Sequence, residues 1–148
     1  STLVSVPLPE GAVADATFAP YHQRYLDLQR HMSLRTEALR EQVRQALAQA
    51  SSKLAQLAAL DVVMEQALGA REQKLLASVP VLLEQRFGQL CPHNPSEDDA
   101  LPLAGPAANG LSVFVQDMRA VLLAELDVRM QPIQGMVEAF NSELNIIQ

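Results

Sequence analysis

The sequence has 17 Asp and Glu, three His and one Cys, but few of them are spaced so that they could bind a metal or act as a nucleophile. Asp27 and His31 are one helical turn apart, but two ligands on one helix face are fewer than a metal site needs. Cys91 has no basic neighbour that would activate a thiol, and the adjacent carboxylates of Asp98 and Asp99 lie in a segment that cannot hold them in place. We therefore predict no catalytic residue, no metal and no cofactor, and we expect that the protein is not an enzyme.

Three arginines lie on or beside apolar rows at helical spacing and could form a polar layer inside a helical bundle. If the chain reverses near Ser51 and again in its Pro-rich segment, Arg35, Arg71 and Arg129 fall at nearly one height. Glu125 precedes Arg129 by about one turn, and a buried charge requires such a partner. The predicted polar layer consists of Arg35, Arg71, Glu125 and Arg129.

Pro132 and Gly135, two poor helix formers, interrupt the last helical pattern at about the height of this layer, and Gly69 lies at the same height. A break there would open the bundle into a cleft or a flat surface for another protein. The reading we favour is simpler: the arginines reach solvent from the edges of the apolar rows, and Pro132 causes a harmless bend.

The composition favours helices throughout the 148-residue chain. Hydrophobic residues make up 49%, but they are mostly Leu and Ala, and only 4% of the chain is aromatic. Leu and Ala have high helix propensity, whereas strands favour the β-branched and aromatic residues that are sparse here. The sequence therefore predicts an all-α protein.

Apolar residues recur every three or four positions in three segments, and this predicts three helices. The first begins at Pro20 and has about 30 residues, the second follows Ser51–Ser52 as far as Leu90, and the third runs from Leu111. The two serines could also lie inside one long helix, but we favour a turn because Ser is a good N-cap and a poor interior residue.

Prolines lie inside the second and third of these helices. Pro80 either kinks the second helix or opens a short new one capped by Ser78 or Val79, and we expect a kink. Pro132 is expected to kink the third helix. The predicted fold is an elongated antiparallel three-helix bundle with Pro-kinked second and third helices.

Two segments lack helical periodicity. Residues 1–17 contain Pro and Gly without an apolar pattern, which predicts a flexible arm. Residues 91–110 contain four Pro, two Gly and three adjacent acids, which predicts a flexible loop. The chain is therefore expected to form one helical domain over residues 18–148, interrupted by that loop.

The charge and the length of the apolar runs restrict the possible partners. The C-terminal third supplies the whole net charge of −6, which would repel nucleic acid and anionic lipid. The longest uncharged apolar run in the helical part, residues 75–83, is shorter than the roughly 20 residues that a membrane span needs. We predict neither nucleic-acid binding nor a transmembrane segment.

Helices with few aromatic residues bury limited area within one chain, so the broad apolar rows are expected to pack against a protein partner. The sequence therefore predicts an interaction or assembly module. It does not identify the partner, but we expect a homodimer. One alternative is an amphipathic protein on a lipid or granule surface; another is a cryptic enzyme with a polar cleft around Arg71 and Arg129. The candidate interface residues are Leu76, Leu82, Pro132, Met136 and Phe140.

A resemblance to a known family rests on three runs, "YHQRYLDLQRHM", "LAALDVVMEQALGAREQKLLASVPVLLEQRF" and "DMRAVLLAELDVRMQPIQGMVEAF". Their order and spacing over about residues 20–140 resemble a family of uncharacterised proteobacterial proteins known only as a domain of unknown function. Members of that family are longer at the N-terminus, which implies that this chain is a C-terminal portion. They tend to be encoded near envelope membrane proteins, which implies a cytoplasmic accessory to a cell-envelope complex.

Overall fold

The computed structural model describes residues 17–92 and 106–147, and within these ranges the chain is helical with no strand. The elements are α1 (Ala19–Ala50), α2 (Ser52–Leu76), α3 (Val79–Leu90) and α4 (Pro106–Ile147). They pack against one another as an all-α bundle, in which α1 and α4 run one way and α2 and α3 run the opposite way, and α1 packs directly against both α2 and α4. The predicted arm and most of the predicted loop lie outside the described residues.

The predicted turn between the first two helices is present at Ser51. Its backbone is extended, with φ −161° and ψ 163°, and its hydroxyl accepts a hydrogen bond of 3.1 Å from the amide of Leu54. The same hydroxyl donates to Glu143 of α4 at 3.0 Å. Ser51 therefore caps α2 and also ties the hairpin of α1 and α2 to the third leg of the bundle.

The second predicted helix is one bent helix composed of α2 and α3. Ala77 and Ser78 keep right-handed helical backbone angles, so the chain bends between the two parts and does not reverse. The hydroxyl of Ser78 donates to the carbonyl of Leu75 at 2.6 Å, and Pro80 lies in the first turn of α3, where its missing amide is tolerated. The bend lies where Pro80 predicted it, so the expected kink of the second helix is confirmed.

The third predicted helix, α4, begins at Pro106, earlier than the predicted start at Leu111. It continues as a helix through both Pro132 and Gly135. Pro132 has no amide to donate to the carbonyl of Val128 one turn earlier, so the proline removes one hydrogen bond of the helix.

Across the described residues, no helix is both long and apolar enough to cross a bilayer.

Most of the buried apolar residues of the described ranges form two clusters at opposite ends of the bundle. The aromatic cluster joins α1, α3 and α4, and the rings of Phe87 and Phe114 meet edge to face in it at 5.0 Å. The turn cluster joins α1, α2 and α4 near Ser51. The members of the aromatic cluster are Tyr21, Tyr25, Leu83, Phe87, Phe114, Met118 and Leu122, and those of the turn cluster are Leu47, Leu54, Ala58 and Met136.

The part of the bundle between these clusters, which we call the waist, is built differently. Three of its residues, Thr36, Asp61 and Glu125, are polar and yet buried. No residue of α2 after Asp61 is buried. The second half of α2 therefore adds no residue to the buried core, and Glu65 gives it an ion-pair contact with α1.

Candidate functional site

The first polar network of the waist joins α1 to α4 through the buried carboxylate of Glu125. The hydroxyl of Tyr25 donates to Glu125 at 3.1 Å, and the amide of Gln29 donates at 3.0 Å. Arg129, one turn further along α4, forms an ion pair with Glu125 at 2.9 Å and also donates to the hydroxyl of Ser33. The negative charge of Glu125 is therefore fully partnered, as burial requires.

The second network joins α1 to α2 around Asp61, which is buried. Arg40 donates two hydrogen bonds of 2.8 Å to the two carboxylate oxygens of Asp61, and Arg44 donates one of 2.7 Å. Arg44 also pairs with Glu65. Both arginine side chains are less than one fifth exposed, so these ion pairs are shielded from solvent.

The surroundings in the two networks shift the pKa of Asp61 and the pKa of Tyr25 in opposite directions. Burial disfavours the charged form of Asp61, but the hydrogen bonds and positive charges of Arg40 and Arg44 outweigh it, so the pKa of Asp61 is lowered. Burial, together with the charge and hydrogen bond of Glu125, raises the pKa of Tyr25 far above its usual range. In both cases the folded chain favours the protonation state found at neutral pH.

A groove of about 360 Å³ opens at the waist between α2 and α4. Met64 and Leu68 line it on the α2 side, Val128 and Pro132 line it on the α4 side, and α1 contributes Thr36, since α1 packs against both helices. Gly69 and Arg129 also line it. The groove is therefore at the height where the sequence placed the arginine layer and the break of the third helix.

The predicted polar layer is only half assembled in the structure. Glu125 and Arg129 form an ion pair at the waist. Arg35 and Arg71 are exposed and belong to neither network, and Arg71 is not among the residues that line the groove. Counting residues from the turn gave the correct height, but height does not determine which way a side chain points around its helix.

The predicted interface residues also divide into two groups. Met136 is buried in the turn cluster, which corrects the prediction for that residue, and the partly buried Phe140 packs against the cluster. Leu76 and Pro132 are half-buried and line the groove, and Leu82 is exposed on α3. The apolar row of α4 was predicted to form an outer surface, but its buried residues pack against α1, α2 and α3.

Sequence reasoning missed the network of Arg40, Arg44, Asp61 and Glu65. A signal for it exists, because Asp61 stands in the apolar row of α2 where Leu54 and Ala58 precede it at helical spacing. A charge in a core position predicts a buried partner. The partners, Arg40 and Arg44, lie on a different face of α1 from Arg35, the arginine that was predicted to belong to the polar layer.

The other candidate groups remain apart in the structure. Asp27 accepts a hydrogen bond from Gln23 at 3.0 Å, and His31 is exposed. In the ranges that the structure describes, no three His, Cys, Asp or Glu side chains converge as metal ligands would. The absence of a metal or a catalytic group therefore stays a prediction.

Comparison with known proteins gives one match. A family model described as "Protein of unknown function (DUF3348)" matches residues 2–142. The match confirms the resemblance to a domain of unknown function that the three sequence runs carry. No curated protein and no solved structure matches the chain significantly.

Proposed function

This chain belongs to the DUF3348 family of proteins of unknown function, and we propose that it is a non-enzymatic helical interaction module that forms a homodimer. The observation that carries the proposal is a row of exposed leucines along α2 and α3. Leu68, Leu75 and Leu82 are 44%, 64% and 58% exposed and follow one another at intervals of seven residues.

Heptad spacing of leucines is typical of helices that pair with another helix. The backbone at Ala77 and Ser78 stays in the right-handed helical region, so the row continues from α2 into α3. A second copy of the chain would present the same row, and two such rows can interlock around a two-fold axis. Pairing of the two rows would remove from water apolar area that the single chain leaves exposed.

The cellular role follows from the family resemblance. It implies a cytoplasmic accessory to a cell-envelope complex, and an assembly module that dimerises suits such a role because a dimer offers each partner site twice. The net charge of −6 also supports a protein partner over nucleic acid or an anionic lipid surface.

Light scattering coupled to size-exclusion chromatography tests the homodimer. The wild-type chain is expected to elute with twice the chain mass of 16.1 kDa. The double variant Leu75→Asp/Leu82→Asp is expected to elute as a monomer with unchanged helicity, because both side chains are exposed. Leu123→Asp is the matched control, since Leu123 is 55% exposed on α4, away from the leucine row.

Two results would contradict the proposal. If the wild-type chain is a monomer at all concentrations, self-association is contradicted. If the double variant is still a dimer, the leucine row is not the dimer interface. Co-sedimentation with neutral or anionic vesicles that depends on the same leucines would favour the lipid-surface alternative.

A further inference from the structure

The groove at the waist is a second surface without a partner, distinct from most of the leucine row. After Asp61, α2 has no further buried residue, and its Met64 and Leu68 line the groove and are nearly half exposed. Val128 and Pro132 face it from α4, and Val128 is more than half exposed. Apolar side chains therefore line both sides of an open groove.

The charges along the groove do not cancel. Six charged side chains line it, and four of them, Arg40, Asp61, Glu65 and Arg129, are held in ion pairs. The other two are Glu37 and Glu72, for which the described residues provide no cation within ion-pair distance. Both glutamates are exposed. An occupant that places positive charges beside them is favoured electrostatically.

The shape of the groove favours a helix as its occupant. Its two sides are α2 and α4, whose backbone groups are bonded within each helix except at the Val128 carbonyl opposite Pro132, so a strand would find no free edge to pair with. A helix lying between them would complete a four-helix bundle at the waist. A second copy of the chain is a poor occupant because it carries more acidic than basic side chains to place beside two unpaired glutamates, whereas the leucine row proposed to pair two copies is apolar.

We propose that this groove binds a basic amphipathic helix from another protein, with apolar side chains against Met64, Leu68 and Val128 and lysines or arginines beside Glu37 and Glu72. This inference deepens the proposed interaction function and rests on it. The hairpin contacts of Arg40 and Arg44 with Asp61 and Glu65 place Glu37 within about one helical turn of Glu72 along the bundle. The partner's cations therefore flank its apolar row about one turn apart.

Binding of a labelled leucine–lysine amphipathic peptide of about five turns, measured by fluorescence anisotropy, tests the proposal. The matched peptide has glutamate in place of lysine. The full chain carrying Leu75→Asp/Leu82→Asp serves as the background, so that self-association does not enter the result. We expect saturable binding of the lysine peptide only, weakened about fivefold by Glu37→Gln/Glu72→Gln.

Variants inside the groove separate it from the rest of the surface. Gly69 lines the groove with no atom within 4 Å of an added Cβ, so Gly69→Lys adds both bulk and a repelling charge without a clash. Gly88 on α3 is equally open and outside the groove, so Gly88→Lys is the matched control. We expect Gly69→Lys to reduce binding at least about tenfold and Gly88→Lys to leave it nearly unchanged.

Several results would overturn the proposal. If the lysine and glutamate peptides bind equally well, the proposed preference for a basic partner is contradicted. If Gly69→Lys and Gly88→Lys weaken peptide binding equally, the peptide is attracted to the acidic chain as a whole and not to the groove. If binding does not saturate up to about 1 mM peptide, the groove is not a specific binding site. A change of oligomeric state caused by Gly69→Lys in the otherwise wild-type chain would assign the groove to a second copy. Peptide binding by a chain that never dimerises would support the groove and contradict only the homodimer.

Discussion

Gly110 of α4 lies against the backbone carbonyl of Leu90, the last residue of α3, so closely that an added Cβ would be 2.1 Å from the carbonyl oxygen. No side chain fits at that distance, and the opposing atom belongs to the backbone. The contact lies beside the aromatic cluster, because Leu90 and Leu111 both pack against that cluster. A glycine at 110 is therefore what allows α3 and α4 to meet there.

Gly110→Ala is expected to lower the free energy of unfolding by about 2 kcal/mol, because α3 and α4 must move apart to admit the methyl group. Gly88→Ala is the matched control: its added Cβ has no atom within 4 Å, and replacing a helical glycine by alanine should stabilise by about 0.5–1 kcal/mol. Urea denaturation followed by circular dichroism measures both. Equal effects of the two substitutions would contradict the close approach.

Removing the charge of Asp61 is expected to destabilise the waist. Asp61→Asn leaves the positive charges of Arg40 and Arg44 close together without their shared carboxylate, and breaking a buried ion pair costs about 3 kcal/mol. Asp117→Asn is the control, since its ion pair with Arg86 is exposed and should contribute less than about 1 kcal/mol. Chemical denaturation at neutral pH compares the two variants, and similar losses would contradict a special role for the buried pair.

The same carboxylate predicts how stability changes in acid. The pKa of Asp61 is lowered in the folded chain, so its contribution is present above the unfolded value of about 3.9 and is lost as the pH falls below it. We expect the free energy of unfolding to decline below about pH 4, and to decline less steeply in Asp61→Asn. Denaturation curves over a series of acidic pH values measure this. An unchanged slope in the variant would contradict the lowered pKa.

Two residues that the sequence analysis assigned to one partner surface should behave in opposite ways. Met136→Asp places a charge in the buried turn cluster and is expected to cost at least about 3 kcal/mol. Leu82→Asp changes an exposed residue and should alter the stability of the single chain by less than about 0.5 kcal/mol. Thermal denaturation in dilute solution distinguishes them. A stable, fully helical Met136→Asp variant would contradict its placement in the core.

Local chemistry made some of the fold predictable from sequence. Ser51 was predicted as a turn because a serine side chain caps a following helix, and the structure shows that hydrogen bond to Leu54. Pro80 marked the bend between α2 and α3 for a similar local reason. Each of these features depends on residues within a few positions of one another in the chain, so it can be predicted from the sequence alone.

The candidate site was less predictable because it depends on how the helices are rotated about their axes. Periodicity shows that Met136 belongs to an apolar row, but it does not show whether the row meets this chain or another one. The buried row of α1 includes Thr36, whose hydroxyl donates a hydrogen bond of 2.8 Å to the carbonyl of Met32. Arg40 follows Thr36 on that row by one turn, so Arg40 meets Asp61 while Arg35 points to solvent.

The hydrogen bond from Tyr25 to Glu125 predicts a loss of stability in alkali. Because the pKa of Tyr25 is raised in the folded chain, its contribution is complete below the unfolded value of about 10 and declines as the pH rises above it. Tyr25→Phe should flatten this decline and cost about 1–2 kcal/mol at neutral pH, because Glu125 loses a donor. The control Tyr21→Phe should cost little at neutral pH, since the buried Tyr21 hydroxyl has no hydrogen-bond partner among the described residues. Denaturation from neutral to alkaline pH measures all three chains, and equal neutral-pH losses in the two variants would contradict the role of Tyr25.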